Sequence, residues 1–283
     1  MYEQWLVVTD LDGTLLNHHD YDFSAALPML QRLESAGIPV ILNTSKTLAE
    51  LRQWVERLHN RHPFIAENGS AIYIPQDYFD ANFRARHLSA APDVDGYHVW
   101  VEGVAISDLR DFLLSQAPTA ISFVDCSEAD AIALTGLTTQ EVRLARDRQY
   151  SIPLVFDSLE AEVEFSKAAE LAGFGCLRGG RFLHLQGPCN KGSTMQELRK
   201  LYQSFYKKSV GVIALGDNHN DLAMLEQADI PVVVRSPSGH AVTPAARSTI
   251  YTQQLAPRGW VEGVQRAMPT FSEDNLQEMI HGG

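Results

Sequence analysis

A doubly wound, Rossmann-like α/β sheet interrupted by an inserted α+β domain is the fold class that the sequence predicts, and three observations predict it. Short apolar runs rich in β-branched residues, at 5–8, 40–42 and 210–215, read as strands buried on both faces. They alternate with stretches of helical period, the order that implies parallel pairing. Each run also stops at a polar cluster, at 10–13, 43–46 and 216–221. In an open parallel sheet the carboxyl ends of the strands are where ligands bind.

Taken in order, the first strand ends at Asp10, and residues 25–36 then carry Leu27, Leu30 and Leu33 at helical spacing before Gly37, a helix-stop signal. The strand 40–42 runs into Asn43-Thr44-Ser45-Lys46. Thr47 and Glu50 form a capping box that opens a helix with Leu48, Leu51, Val55 and Leu58 on one face. Residues 64–66 and 71–74 are two short strands around the polar turn Glu67-Asn68-Gly69. From residue 83 to 186 the chain changes character. Helices at 108–114, 128–134, 139–147 and 159–172 alternate with strands at 121–123, 154–156 and 182–185, and no strand there ends in a carboxylate cluster. This stretch reads as the inserted α+β domain, which leaves residues 1–82 and 187–283 as the sheet domain. The sheet domain resumes with Lys191-Gly192 before a helix carrying Met195, Leu198, Tyr202 and Phe205. The strand 210–215, a helix at 222–228 and a strand at 231–234 follow. Residues 272–283 read as a frayed acidic helix or tail.

Composition bounds the function. An apolar share of 45% with 20% charged residues marks a globular protein, and no apolar run reaches the length of a membrane span. The N-terminus lacks the regions of a signal peptide, so a cytoplasmic location is expected. Three cysteines without a Cys-x-x-Cys pairing fit reduced thiols. A formal charge of −12 argues against nucleic acid and anionic membrane as partners, and an anionic small-molecule substrate would need local cations to hold it.

The first polar cluster contains two carboxylates, Asp10 and Asp12, followed by Gly13, which allows a close backbone approach or a positive φ. By themselves these residues fit an anion site, a metal site, or a strand cap followed by an ordinary turn. Thr44 alone fits a turn, Lys191 alone a solvated side chain, and Asp217 with Asp221 helix-start acids. Four polar clusters that each follow an apolar segment are harder to explain as turns, and together they read as one site. Carboxylates without His or Cys in ligand spacing favour magnesium over zinc.

The run Asp-Leu-Asp-Gly-Thr-Leu-Leu at 10–16, directly after an apolar strand, resembles the signature of the haloacid dehalogenase superfamily of phosphohydrolases. The three further pieces which that superfamily implies are present in order: Thr44, Lys191, and Gly-Asp-Asn-x-Asn-Asp at 216–221. The resemblance implies that Asp10 is a nucleophile passing through an aspartyl-phosphate, with Asp12 as general acid and then base. It implies Mg2+ held by Asp10, Asp217 and the backbone carbonyl of Asp12, with Asp221 ordering the ion's water shell or its neighbours. Thr44 and Lys191 would bind the non-bridging phosphoryl oxygens.

The placement of the insertion resembles subclass IIB, whose α/β cap covers the active site. Residues 43–47, 66–69, 178–182 and 257–260 are similar to the mannosyl-3-phosphoglycerate phosphatase family, and Ser45-Lys46 stands where most cap-bearing relatives have Gly-Arg. That likeness implies hydrolysis of a glycosyl-3-phosphoglycerate, the mannosyl compound first, to phosphate and a glycosylglycerate, a compatible solute. Lys46, Arg148, Arg178 and Arg181 are the candidate cations for the substrate, Gly179-Gly180 a bare backbone that can donate N–H groups, and Asn68 a further contact. The plainer alternatives are surface salt bridges and a tight turn. One departure bears on the sugar: Arg-Gln-Tyr-Ser-Ile-Pro at 148–153 replaces both glutamates of the family's Arg-Glu-Tyr-Ser-Glu-Pro. Other functions that stay open are a glucosyl-3-phosphoglycerate or broad-specificity sugar-phosphate phosphatase, a phosphomutase, and a non-catalytic sugar-phosphate-binding protein.

Overall fold

The polar ends of two neighbouring strands organise the first part of the molecule. The computed structural model describes residues 2–117, 119–246 and 248–271, so the tail expected at 272–283 lies outside the described residues. The chain divides into two compact units, one formed by the residues up to Asn43 together with those from Met195 onward, the other by Thr44–Thr194.

In the first unit the apolar start of the chain forms β1 (Gln4–Thr9), whose last four residues are buried. Helix α1 (Leu27–Ser35) has a proline in its first turn and is followed by Gly37 at φ +68°, which continues into β2 (Val40–Leu42). The chain then builds the second unit. There α2 (Leu48–Arg57) starts on the expected capping box: Glu50 N donates to Thr47 Oγ1 at 3.2 Å and Thr47 N donates to Glu50 Oε2 at 2.9 Å. Next come β3 (Phe64–Ala66), β4 (Ala71–Pro75), α3 (Ala81–His87), β5 (Asp93–Val94), β6 (Tyr97–Val101), α4 (Ile106–Gln116) and β7 (Ile121–Ser122). The unit continues through α5 (Glu128–Thr135), α6 (Thr139–Arg146), β8 (Ser151–Val155), α7 (Leu159–Leu171), β9 (Gly175–Gly179) and β10 (Phe182–Gln186). Helix α8 (Lys191–Tyr206) begins in the second unit and ends in the first. The first unit closes with β11 (Val210–Gly216), α9 (Leu222–Glu226), β12 (Ile230–Arg235), β13 (Ile250–Leu255) and α10 (Arg258–Ala267).

The sheet of the first unit has the order β13-β12-β11-β1-β2 and every pairing in it is parallel, as the sequence predicts. From β1 the chain steps outward to β2, whereas from β11 it steps the other way through β12 to β13. The strand order therefore reverses between β1 and β11, and such a reversal opens the crevice in which doubly wound proteins bind ligands. Helix α10 was not legible as an element because it contains Gly259 and Gly263, poor helix formers. The fold requires both. A Cβ on Gly259 would lie 2.2 Å from the Gln254 carbonyl oxygen, and one on Gly263 would lie 2.6 Å from Val232 Cγ1.

The second unit contains two antiparallel four-stranded sheets, ordered β3-β4-β6-β5 and β7-β8-β10-β9. Leu109, Leu113, Ile152, Leu154, Leu183 and Leu185 bury one face of the latter under α4 and α7. The division at residues 44 and 194 differs from the boundaries at 83 and 186 expected from composition. The reason is strand pairing: β4 runs antiparallel to β6 from Ala71↔Val101 to Pro75↔Tyr97, which ties residues 64–75 into a sheet with 93–101. Strand β8 begins at Ser151, earlier than expected, with Pro153 inside it opposite His184. An internal proline argues against a strand when only sequence is in view.

Candidate active site

In the first unit, Thr9 of β1 is level with Leu215 of β11, and Asp10 N extends the ladder with a 3.0 Å bond to the Leu215 carbonyl. Asp10 and Asp217 thus leave adjacent strands side by side. Their carboxylates meet that of Asp221, the three offering oxygens within 4.8 Å of one another, and all three residues are buried. Asp12 stands outside this group of three, so its sequence-derived place in a metal site rests on its backbone carbonyl alone.

The geometry of the acids is imposed by short-range bonds. Asp221 Oδ2 accepts from the backbone N–H groups of Asp217 (3.0 Å) and Asn218 (3.1 Å), capping the short turn His219–Asp221. Thr14 Oγ1 donates to Asp217 Oδ1 at 2.8 Å. Gly13 has φ +80°, and a Cβ there would come within 2.8 Å of Asp217 Oδ2, so glycine is required on both counts. Thr9 Oγ1 donates to the Asp10 carbonyl at 2.7 Å and accepts from Trp260 Nε1 at 3.0 Å, which fastens the start of the loop to α10. Three buried carboxylates repel one another unless a cation offsets them. An all-oxygen set of this kind suits a hard divalent ion, so the residues present fit Mg2+.

In the second unit the turn at 67–69 draws two further sequence-predicted residues together. Thr44 N donates to Ile65 O at 3.1 Å, and the Thr44 carbonyl accepts from Asn68 N at 2.9 Å. Glu67 and Asn68 both adopt positive φ, 49° and 57°. Gly69 follows at φ +98°, where a Cβ would lie 2.4 Å from the Asn190 carbonyl, next to Lys191 at the start of α8. Asn190 Oδ1 accepts from Gly192 N and Ser193 N, both at 2.9 Å, and Lys191 is fully buried. Lys46 has its Nζ 3.8 Å from Glu50 Oε1.

The arginines divide. Arg148 is buried, and its guanidinium donates to the carbonyls of Ala145 (3.1 Å) and Ser45 (3.2 Å) and to Ser151 Oγ (2.9 Å). Beside it, Glu67 accepts from Gln149 N (2.9 Å), Tyr150 N (3.2 Å) and Ser151 Oγ (2.6 Å). Burial pushes the Glu67 carboxyl above its usual range, against the opposing pull of Arg148 and these bonds. Arg148 therefore organises residues 45 and 145–151 through its own bonds. Arg178 is ion-paired with Glu162 of α7, and Arg181 donates to the Leu134 carbonyl. Gly179 pairs with Phe182, and Gly180, at φ +56°, makes the turn between β9 and β10.

Several residues of these networks escaped the sequence reading. Thr14, Glu67 and Trp260 fall within stretches that carry the family resemblance, but their hydrogen bonds, like that of Thr9 to Trp260, cross long sequence separations that no local pattern signals. His184 and Gln186 had a signal, since polar residues alternate with Leu183 and Leu185 along β10.

Residues 7–91 and 185–254 match the haloacid dehalogenase-like hydrolase family. A glucosyl-3-phosphoglycerate/mannosyl-3-phosphoglycerate phosphatase of Methanococcoides burtonii is 35% identical over 263 residues, covering 90% of this chain and 94% of its own. The chain belongs to the haloacid dehalogenase-like hydrolases. A second relative with the same description, from Persephonella marina, is 31% identical over 93% of this hydrolase and 97% of its own length. A solved phosphatase of the haloalkanoate enzyme superfamily from Bacteroides thetaiotaomicron superposes with a TM-score of 0.63, covering 95% of each chain at 18% identity, and shares the fold. Among the described residues of this hydrolase no helix is long and apolar enough to cross a membrane.

Proposed function

We propose that this haloacid dehalogenase-like hydrolase is a magnesium-dependent phosphatase that cleaves a glycosyl-3-phosphoglycerate to a glycosylglycerate and phosphate. The observation that carries the reading is the convergence of the buried Asp10, Asp217 and Asp221 carboxylates at the reversal point of the parallel sheet. The relatives' descriptions, which name both the glucosyl and the mannosyl compound, support the substrate and extend it to either sugar.

Asp10 attacks phosphorus, and the P–O bond to the glycerate oxygen breaks as Asp12 protonates that oxygen. Asp12, now a carboxylate, takes a proton from water, whose oxygen bonds to phosphorus as the P–O bond to Asp10 breaks, which releases phosphate and restores both carboxyl groups. A magnesium ion bound by the three acids would offset their mutual repulsion and draw charge from the phosphoryl oxygens. Asp217 and Asp221 hold their oxygens in place for it through the Thr14, Asp217 N–H and Asn218 N–H bonds. The Lys191 ammonium and Thr44 hydroxyl serve the non-bridging oxygens, the roles that a group with charge on three oxygens demands.

The test is phosphate release across a panel containing mannosyl- and glucosyl-3-phosphoglycerate, 3-phosphoglycerate and hexose phosphates. The reading expects kcat/KM to be highest for the glycosyl-3-phosphoglycerates. Equal rates across the panel would make the protein a general sugar-phosphate phosphatase, and stoichiometric isomerisation of a hexose phosphate without phosphate release would make it a mutase.

A further inference from the structure

Strand β10 carries two kinds of side chain on its two faces. Leu183 and Leu185 point into the core shared with α4 and α7, while His184 and Gln186 occupy the opposite face. Both polar residues are buried, at 6% and 1% exposure. His184 Nδ1 and Gln186 Oε1 have no hydrogen-bond partner among the described residues. The Gln186 side chain is oriented by its other end, since Nε2 donates to the Cys189 carbonyl at 2.8 Å. Gln186 lies opposite Ser151 of β8, whose hydroxyl joins Arg148 and Glu67, and His184 lies opposite Leu177 of β9 and Pro153 of β8.

A buried polar group without a partner is uncommon in folded proteins, and two on one face of one strand call for a common explanation. Packing does not require them, because the adjacent positions on the other face already supply the apolar core. Their chemistry also restricts what they can bind. Gln186 Oε1 can only accept a hydrogen bond, so a carboxylate or phosphoryl oxygen would be repelled there. The imidazole is uncharged, because burial and the nearby Arg148 and Lys191 cations hold its pKa down to about 3. A neutral imidazole donates at one nitrogen and accepts at the other, and Gln186 adds a further acceptor. Alternate residues on a strand are spaced by roughly 6.5–7 Å, a separation that hydroxyls of one sugar ring can bridge.

We infer that His184 and Gln186 form an uncharged subsite on β10 that recognises hydroxyl groups of the substrate's sugar, separate from the charged groups that hold its phosphate. The inference rests on the phosphatase reading, and it places the sugar hydroxyls on β10, apart from the candidate cations Arg178 and Arg181, whose bonds run to Glu162 and Leu134.

The experiment compares kcat/KM for mannose 6-phosphate with that for n-hexyl phosphate, which carries the same phosphate and no hydroxyls, in the parent, His184→Leu, His184→Asn and Gln186→Leu. The parent should prefer the hydroxylated ester. His184→Leu and Gln186→Leu should each lower that ratio roughly five- to tenfold, the loss of one hydrogen bond to an uncharged partner. His184→Asn, which can place an amide near the position of Nδ1, should recover most of the ratio. A parent without preference, or variants with an unchanged ratio, would overturn the inference, and so would equal losses on both esters. Should His184→Leu fail to fold, Gln186→Leu and His184→Asn decide the question by the same ratio. The reading of the natural substrate is judged separately: failure of glycosyl-3-phosphoglycerates to outperform hexose phosphates would remove that reading while the ratio still tests the subsite.

Discussion

Thr9 shows how one side chain can govern a site without touching substrate. Its hydroxyl is the middle of a buried chain from the Trp260 indole to the Asp10 carbonyl, with links of 3.0 and 2.7 Å. Replacing it by valine keeps the shape and removes both bonds, leaving the indole N–H buried and unpaired, a loss of about 1–3 kcal/mol. Thr9→Val should therefore lower the denaturant-unfolding free energy by that amount. It should also reduce kcat more than it changes KM, since the Asp10 carbonyl loses one of the bonds that fix the Asp10 backbone. A variant with parental kcat and parental stability would mean that the chain of bonds is dispensable. The residues of the signature were legible because their types are chemically unusual at a strand end. Thr9 and Trp260 were not, because a threonine in a strand and a tryptophan in a helix are ordinary until their 251-residue separation is closed by the fold.

At the scale of elements, strands showed more clearly than their partners. The apolar runs at β1, β2 and β11 appear in the sequence because central parallel strands have two faces to bury. The two-residue strand β5 and the glycine-bearing β9 lack that signal, and the β4–β6 pairing follows from register, which composition does not encode. Strand β10 carries a pH dependence. The His184 pKa of about 3 lies below the ordinary 6.5, because burial and the charges of Arg148 and Lys191 disfavour the imidazolium. The unfolded chain takes up a proton below the ordinary value and the folded chain does not until pH falls to the lowered one. Stability from this group is therefore complete above pH 6.5 and declines as pH falls toward 3. The slope for one proton is about 1.4 kcal/mol per pH unit. Urea titrations from pH 7 to 4 should show a shallower decline for His184→Leu than for the parent. Parallel declines would mean that the imidazole is protonated in the native state.

Across the whole molecule, the chain's division into two compact units makes a single unfolding transition an assumption to test. The proposed ion is bound by acids of the first unit alone, so magnesium should raise the thermal transition of that unit. At a concentration one hundred times its dissociation constant the stabilisation would be about 2.7 kcal/mol. Asp217→Asn should abolish the magnesium-dependent shift while retaining a folded protein, as seen by calorimetry with and without chelator. An equal shift in the variant would place the ion elsewhere. The acids were singled out because they sit where strands end, whereas the candidate arginines were singled out from their charge and from stretches that resemble the family. In the fold Arg148 is tied to the carbonyls of residues 45 and 145, and Arg178 to Glu162, contacts that the sequence does not disclose. The central claim is that Asp10 is the nucleophile of a magnesium-dependent phosphate ester hydrolysis, and phosphate release by purified Asp10→Asn tests it most directly. With magnesium and a glycosyl-3-phosphoglycerate, the variant should be folded, with the thermal transitions of the parent, and release phosphate only at background rate. Near-parental turnover by that variant, with contaminating phosphatases excluded, would contradict it.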